Sequence, residues 1–254
     1  EDNSAKGTFR AGALVAASGG NISNCIANGT INVKSNDYCA ILVGGVVGDC
    51  SGTISDVTAN SSVIVNYSRN NGSDYQKINV GGISGSASII SNSTASGSVN
   101  VCAKTKNYFF HGSVNVGGTT GLGNNITNCI AQNSVKLEAE SGTNDHNYFT
   151  SSVCGKAGLI ESHGTISSCV STGDITAIAG NYTNAYAGGI VGYGQGAISS
   201  SYSTGNISAQ LKESTYSSTI AAGGVSGFAQ NNISYCYALG NVVTTKLSRY
   251  GGTS

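Results

Sequence analysis

The amino-acid sequence predicts an all-β chain wound as a right-handed parallel β-helix, a β-solenoid of about seven repeats of about 35 residues plus a truncated eighth. Three observations predict it. A block opening on paired glycines recurs along the 254 residues. Each block is followed, at nearly fixed spacing, by an isoleucine and then by a short stretch of alternating apolar residues. Charged residues make up only 9% of the chain, and proline and tryptophan are absent. A unit of this size cannot bury its own apolar edge, so its recurrence is read as a stack.

The block is clearest in AGGIVGYGQGAISSSYSTGNISAQ from Ala187 and AGGVSGFAQNNISYCYALGNVV from Ala222. Its second glycine position falls at Ala13, Gly45, Gly82, Gly118, Gly155, Gly189, Gly224 and, in the truncated copy, Gly252. The isoleucine of each full block is Ile22, Ile54, Ile90, Ile126, Ile166, Ile198 or Ile233. Further on come Ile31, Val63, Val99, Val135, Ile175, Ile207 and Val242, and two residues later Val33, Val65, Val101, Leu137, Ala177, Ala209 and Thr244. That alternation is a strand with one apolar face. Before it stand Gly29, Ser61, Gly97, Asn133, Gly173, Gly205 and Gly240, read as a corner with positive φ. Two residues earlier Ala27, Ala59, Ala95, Ala131, Ser171, Ser203 and Ala238 are all small, which suits a narrow interior. Periodicity leaves open whether one repeat makes one coil or two.

The repeat sets the domain reading: an N-terminal edge segment over 1–10, one solenoid over 11–250, and the start of an incomplete repeat over 251–254. The formal net charge is +0 and no basic cluster occurs, which argues against nucleic acid as a partner. No apolar run is long enough to cross a bilayer as a helix.

The residues GGIVGYGQGAISSSYSTGNIS resemble the GLUG repeat, named for its Gly-Leu-any-Gly core and found in bacterial surface adhesins and IgA-cleaving metallopeptidases. The resemblance covers residues 11–254. It is strongest from Gly44, Gly188 and Gly223, and weaker where Cys154-Gly155-Lys156-Ala157-Gly158 and Gly117-Gly118-Thr119-Thr120-Gly121 replace the apolar pair. It implies an exported β-solenoid, extracellular or on the cell surface, with no catalytic residue in the motif. No His-Glu-any-any-His sequence is present.

The ends carry the functional expectation. A lone solenoid exposes unpaired edges at its first and last coils, and Arg249, Tyr250, Gly251 and Gly252 open another block. The expectation is a structural protomer that joins copies of itself head to tail, with Phe9, Arg10, Leu14, Arg249, Tyr250, Gly251 and Gly252 as polymer contacts. Seven coils would make a rod about 35 Å long. The alternative is a stalk or ligand-binding module of a larger cell-surface adhesin.

The remaining residues support an architectural reading rather than an enzyme. Cys25, Cys129, Cys169 and Cys236 share a register with Val57, Ser93 and Ser201, as small inward residues would. Cys39, Cys50, Cys102 and Cys154 share no such register and are the candidate disulfide cysteines. Asn-any-Ser/Thr acceptors stand at Asn21, Asn28, Asn60, Asn66, Asn71, Asn92, Asn125, Asn181, Asn206 and Asn232, candidate sites for covalent glycans. Tyr38, Tyr75, Tyr148 and Tyr182 recur before the glycine pair, read as a tyrosine column or a sugar platform. His111, His146 and His163 share no register, and acidic residues form no cluster of the kind that cleaves polysaccharides. No cofactor or metal is expected. The column Ser23, Ser55, Ser91, Thr127, Ser167, Ser199 and Ser234 raises ice binding, but the next strand lacks a matching hydroxyl grid.

Overall fold

A computed structural model describes residues 7–36, 39–69, 74–105, 110–141, 149–154, 157–180, 183–212 and 218–246, the side chains of 69, 74–76, 110–111, 141, 149–154 and 157–163 excepted. Among the described residues every regular element is a strand, and all the pairings are parallel. The chain winds through three sheets in turn. Sheet I has seven strands, Gly7–Gly12, Cys39–Gly44, Asp74–Gly81, Phe110–Gly117, Phe149–Cys154, Thr183–Gly188 and Ile220–Gly223. It holds one strand from each repeat, so one repeat makes one coil of the β-solenoid. Sheet II (10 strands) and sheet III (12 strands) contain more because bends break their strands.

The predicted columns are the observed ladders. Ile22, Ile54, Ile90, Ile126, Ile166, Ile198 and Ile233 stand on one another in sheet II. Ile31 through Val242 do the same in sheet III. In the inner coils these side chains are buried, each contributing about 1.5–3 kcal/mol relative to exposure.

The glycine pair turns the chain from sheet I into sheet II, and its second member reaches across the coil. A Cβ on Gly82 would run into the Gly118 carbonyl and meet the Ala95 side chain at 3.1 Å. This is why the facing column is Ala or Ser throughout. The interior accordingly falls into two apolar clusters. One is gathered from sheet I and the Val63 face of sheet III, the other around Ile54, Val46 and Val57. The last glycine of the motif serves a different contact. A Cβ on Gly48 would meet the sheet I backbone at Leu42 O, 2.7 Å, and at Ala11 N, 2.8 Å, so sheet II folds flat against sheet I.

One corner differs from expectation. Positive φ was expected at the Gly29 to Gly240 column, yet there it is found only at Gly29 and Gly97. Gly173, Gly205 and Gly240 are small because a Cβ would strike the carbonyl of the coil below. The non-glycine exceptions, Ser61 and Asn133, turn inward and donate to Gly45 O at 3.2 Å and Gly118 O at 2.8 Å. The left-handed corner lies two residues after each isoleucine, at Asn24, Asp56, Asn92, Asn128, Ser168, Ser200 and Tyr235, with φ between 48° and 55°. It turns sheet II into sheet III. Asn and Asp tolerate this conformation best.

Two substitutions test these packing rules by chemical denaturation. Gly82→Ala is expected to destabilise by about 1–3 kcal/mol, because backbone on the next coil must shift. Ser168→Gly is expected to stabilise by about 0.5 kcal/mol, the relieved left-handed strain of about 1–2 kcal/mol exceeding glycine's entropic cost.

Candidate functional site

The two terminal coils carry the most exposed apolar side chains. On the first coil Phe9, Leu14 and Ile26 are exposed, Ile26 to 65%. On the last, Phe228, Ile233, Tyr235, Tyr237, Leu239, Val242 and Val243 are exposed, Tyr235 to 90% and Leu239 to 73%. The counterparts of Phe9, Leu14, Ile233 and Val242 in the second coil, Ile41, Val46, Ile54 and Val63, are fully buried, so the exposure of these four reflects a missing neighbour coil among the described residues. Ile26, Tyr235, Leu239 and Val243, by contrast, stand in outward-facing columns. Phe9 and Leu14 were expected at this edge. Arg10, also expected there, pairs laterally within the coil edge, its Nε donating to Asp49 Oδ2 at 3.0 Å. Arg249, Tyr250, Gly251 and Gly252 lie outside the described residues.

Sequence reasoning missed Ile26, Tyr237, Leu239 and Val243. Ile26 and Tyr237 belong to one column, with Thr58, Thr94, Ile130, Val170 and Tyr202 between them. That recurrence was the available signal. Tyr202 and Tyr237 stack at 4.7 Å with their rings 3° apart. The outward column Asn28, Asn60, Ser96, Gln132, Thr172, Thr204 is polar until Leu239 in the last coil. Tyr235 likewise ends a column of Asn, Asp and Ser.

Between sheets I and II runs a seam of facing side chains. It holds the Arg10–Asp49 pair, the buried amides Asn79 and Asn115, joined Nδ2 to Oδ1 at 2.9 Å, and a ring cluster. Tyr186 meets Tyr193 edge-on at 5.3 Å, and Tyr193 stacks on Phe228 at 4.8 Å. Burial pushes the Tyr186 phenol above its ordinary range, and Tyr193 adds to the effect.

The outer face of sheet III carries the chain's densest charge among the described residues. Glu138 Oε1 accepts from Lys104 Nζ and Lys212 Nζ, each at 2.8 Å, and Glu140 lies 3.8 Å from Lys104. Lys212 belongs two coils beyond Glu138. These two hydrogen bonds lower the Glu138 carboxyl to about 2 against opposing burial. Beside it, burial raises the Cys102 thiol.

Of the candidate acceptors, Asn21, Asn28, Asn60, Asn66, Asn92, Asn206 and Asn232 are exposed and Asn125 half-buried, whereas Asn71 and Asn181 lie outside the described residues. Several form ladders: Asn60 donates to Asn28 at 2.9 Å, and Asn128 to Asn92 at 3.4 Å. Cys129 and Cys169 are buried in the small inward column, as expected. The disulfide reading of Cys39, Cys50 and Cys102 is corrected: all three are free thiols, one on each of sheets I, II and III, so three walls separate them. Cys154 falls in a sheet I strand, its side chain outside the description. Tyr38, Tyr148 and Tyr182 lie outside the described residues, as does the side chain of Tyr75.

Fold and ladders together define a β-solenoid repeat protein. Comparison with family models, with curated proteins and with solved structures finds no match.

The Glu138 cluster has a pH signature. Its folded carboxyl titrates below the unfolded value of 4.5, so its stabilisation is present above about 4.5 and lost as pH falls toward about 2. In melts across that window, Glu138→Gln is expected to lose less stability than wild type. Parallel pH profiles would show that the two lysines do not hold the carboxylate.

Proposed function

We propose that this chain is the structural protomer of an extracellular filament or surface fibre, a GLUG-like repeat protein whose copies stack head to tail. The observation that carries the reading is the match between the two exposed coils. Continued by one step, the ladders of sheets II and III would set the next copy's Ile22 on Ile233, Ile26 on Tyr237, Ile31 on Val242 and Val33 on Thr244. Each of these columns already stacks this way inside the molecule. Such a contact is heterologous and does not close, so it propagates as a fibre. The exposed asparagine acceptors fit a glycosylated, nearly uncharged surface that must stay in solution.

The same edges support a second reading, a stalk segment of a larger cell-surface adhesin in which further coils cover them. Electron microscopy and sedimentation of the unfused protein separate the two. The filament reading expects fibres with a subunit rise of about 35 Å. Ile26→Asp and Tyr237→Asp, each placing a carboxylate in one half of the contact, should each abolish fibres. A mixture of the two should give a 1:1 dimer and nothing longer, since each variant retains one working face. Wild-type rods that stay single at high concentration would sink the filament and leave the stalk.

A further inference from the structure

The outer face of sheet III carries a groove that is independent of the coil ends. It is lined by Ile64, Asn66, Asn100, Cys102, Lys136 and Glu138, and at Asn66 it meets a second hollow holding Lys34, Asn36 and Ser68. The lining residues come from two neighbouring columns. Lys34, Asn66, Cys102 and Glu138 stand in register, as do Ile64, Asn100 and Lys136. The groove therefore runs along the rod axis, across successive coils.

Its chemistry narrows the ligand. Glu138 is neutralised by Lys104 and Lys212, whereas Lys34 and Lys136 have no ion-pair partner among the described residues. These two cations stand three coils apart, about 14 Å along the axis. Between them lie side-chain amides and a hydroxyl, groups that both donate and accept hydrogen bonds and so match a ligand rich in hydroxyls. No aromatic ring lines the groove among the described residues, because Tyr67 is turned inward at 1% exposure. Two sparse charges without a stacking platform do not suit single-stranded nucleic acid, which takes a continuous basic track with rings for its bases. Nor does the groove offer a free strand edge to a peptide, since each strand beneath it is paired within sheet III.

We infer that this groove binds an acidic polysaccharide lying along the rod. Anionic groups on the sugar chain pair with Lys34 and Lys136, and its hydroxyls exchange hydrogen bonds with Asn66, Asn100 and Ser68. Carboxylate and sulfate would serve alike at the lysines. Binding is reversible and needs no catalytic group.

The test is calorimetric titration of protein produced without glycosylation, since a glycan on Asn66 would fill the same groove. The probes are a polyuronate hexasaccharide, a sulfated hexasaccharide and a carboxyl-reduced, neutral hexasaccharide. Binding of either acidic probe, weakened by added salt and absent for the neutral one, is the expected result, and which acid binds names the anion. The Lys34→Gln, Lys136→Gln double variant should bind roughly tenfold more weakly, as the loss of two partly exposed ion pairs implies. Lys246→Gln, in the last coil, should bind as wild type does. An unchanged double variant, equal binding of the neutral probe, or tighter binding of a single-stranded oligonucleotide would overturn the inference. Neither result bears on fibre formation, which uses the ends of the rod.

Discussion

Everything in this molecule follows from parallel, in-register stacking, in which each residue sits on its counterpart from the coil below. A strand in a closed barrel or a sandwich meets neighbours of unrelated sequence. Here the neighbour is the same position of the same repeat, about 4.8 Å away. Whatever chemistry a position has is therefore repeated along the rod. An apolar residue becomes an unbroken buried ladder, as from Ile22 to Ile233. A glycine forced by one close approach is forced again in the next coil, which accounts for the recurrence of the motif.

The same constraint explains why the chain carries so little charge. A column of seven like charges 4.8 Å apart would cost about 1 kcal/mol per neighbouring pair even at the dielectric of water, and several times more near the protein surface. Neutral amides and hydroxyls avoid that cost and bond along the column, as Asn60 to Asn28 and Ser96 to Asn60 do. Where charges cluster, they meet their opposites along or across columns. Lys104 stands in register with Glu140, and Glu138 is held from both directions. Gly180 makes room there, since a Cβ on it would meet the Glu140 side chain at 2.6 Å. Lys34 and Lys136 have no such partner among the described residues, and both line the same outer wall of sheet III, which is why that wall reads as a surface for a ligand.

The ladders were legible in the sequence because periodicity alone specifies them. The two-celled interior was half legible: the small residues of the Ala27 to Ala238 column pointed to a narrow place, but not to glycine as what they face. The left-handed corner was missed for a physical reason. Glycine stood in a different column, for backbone clearance between coils, and the true corner carries Asn and Asp in a chain full of Asn, then Ser and even Tyr235. The Glu138 cluster could not be read at all, because Lys212 lies 74 residues away and reaches its partner past an intervening coil. Cys39, Cys50 and Cys102 misled because their lack of a shared register looked like selection for bridging. Their placement on three sheets shows that register alone says nothing of proximity around the coil.

The last coil shows what an edge in this architecture has to resolve. Edge strands in natural sheets are blunted by charge, proline or a covering element. The last coil moves the opposite way: Tyr235, Leu239 and Val243 are apolar where the coils beneath carry Ser200, Thr204 and Ser208. Open to water, they form a hydrophobic collar around an edge unpaired among the described residues, the arrangement that invites association. A further coil would cover the upper flank of each, as Tyr237 covers Tyr202 now. Polar residues in that coil's outward columns would then carry the wall back to water, as Asn24, Asn28 and Asn32 do in the first coil. The first coil has the pattern such a coil needs, apolar where the ladders run inward and, Ile26 apart, polar where they face out.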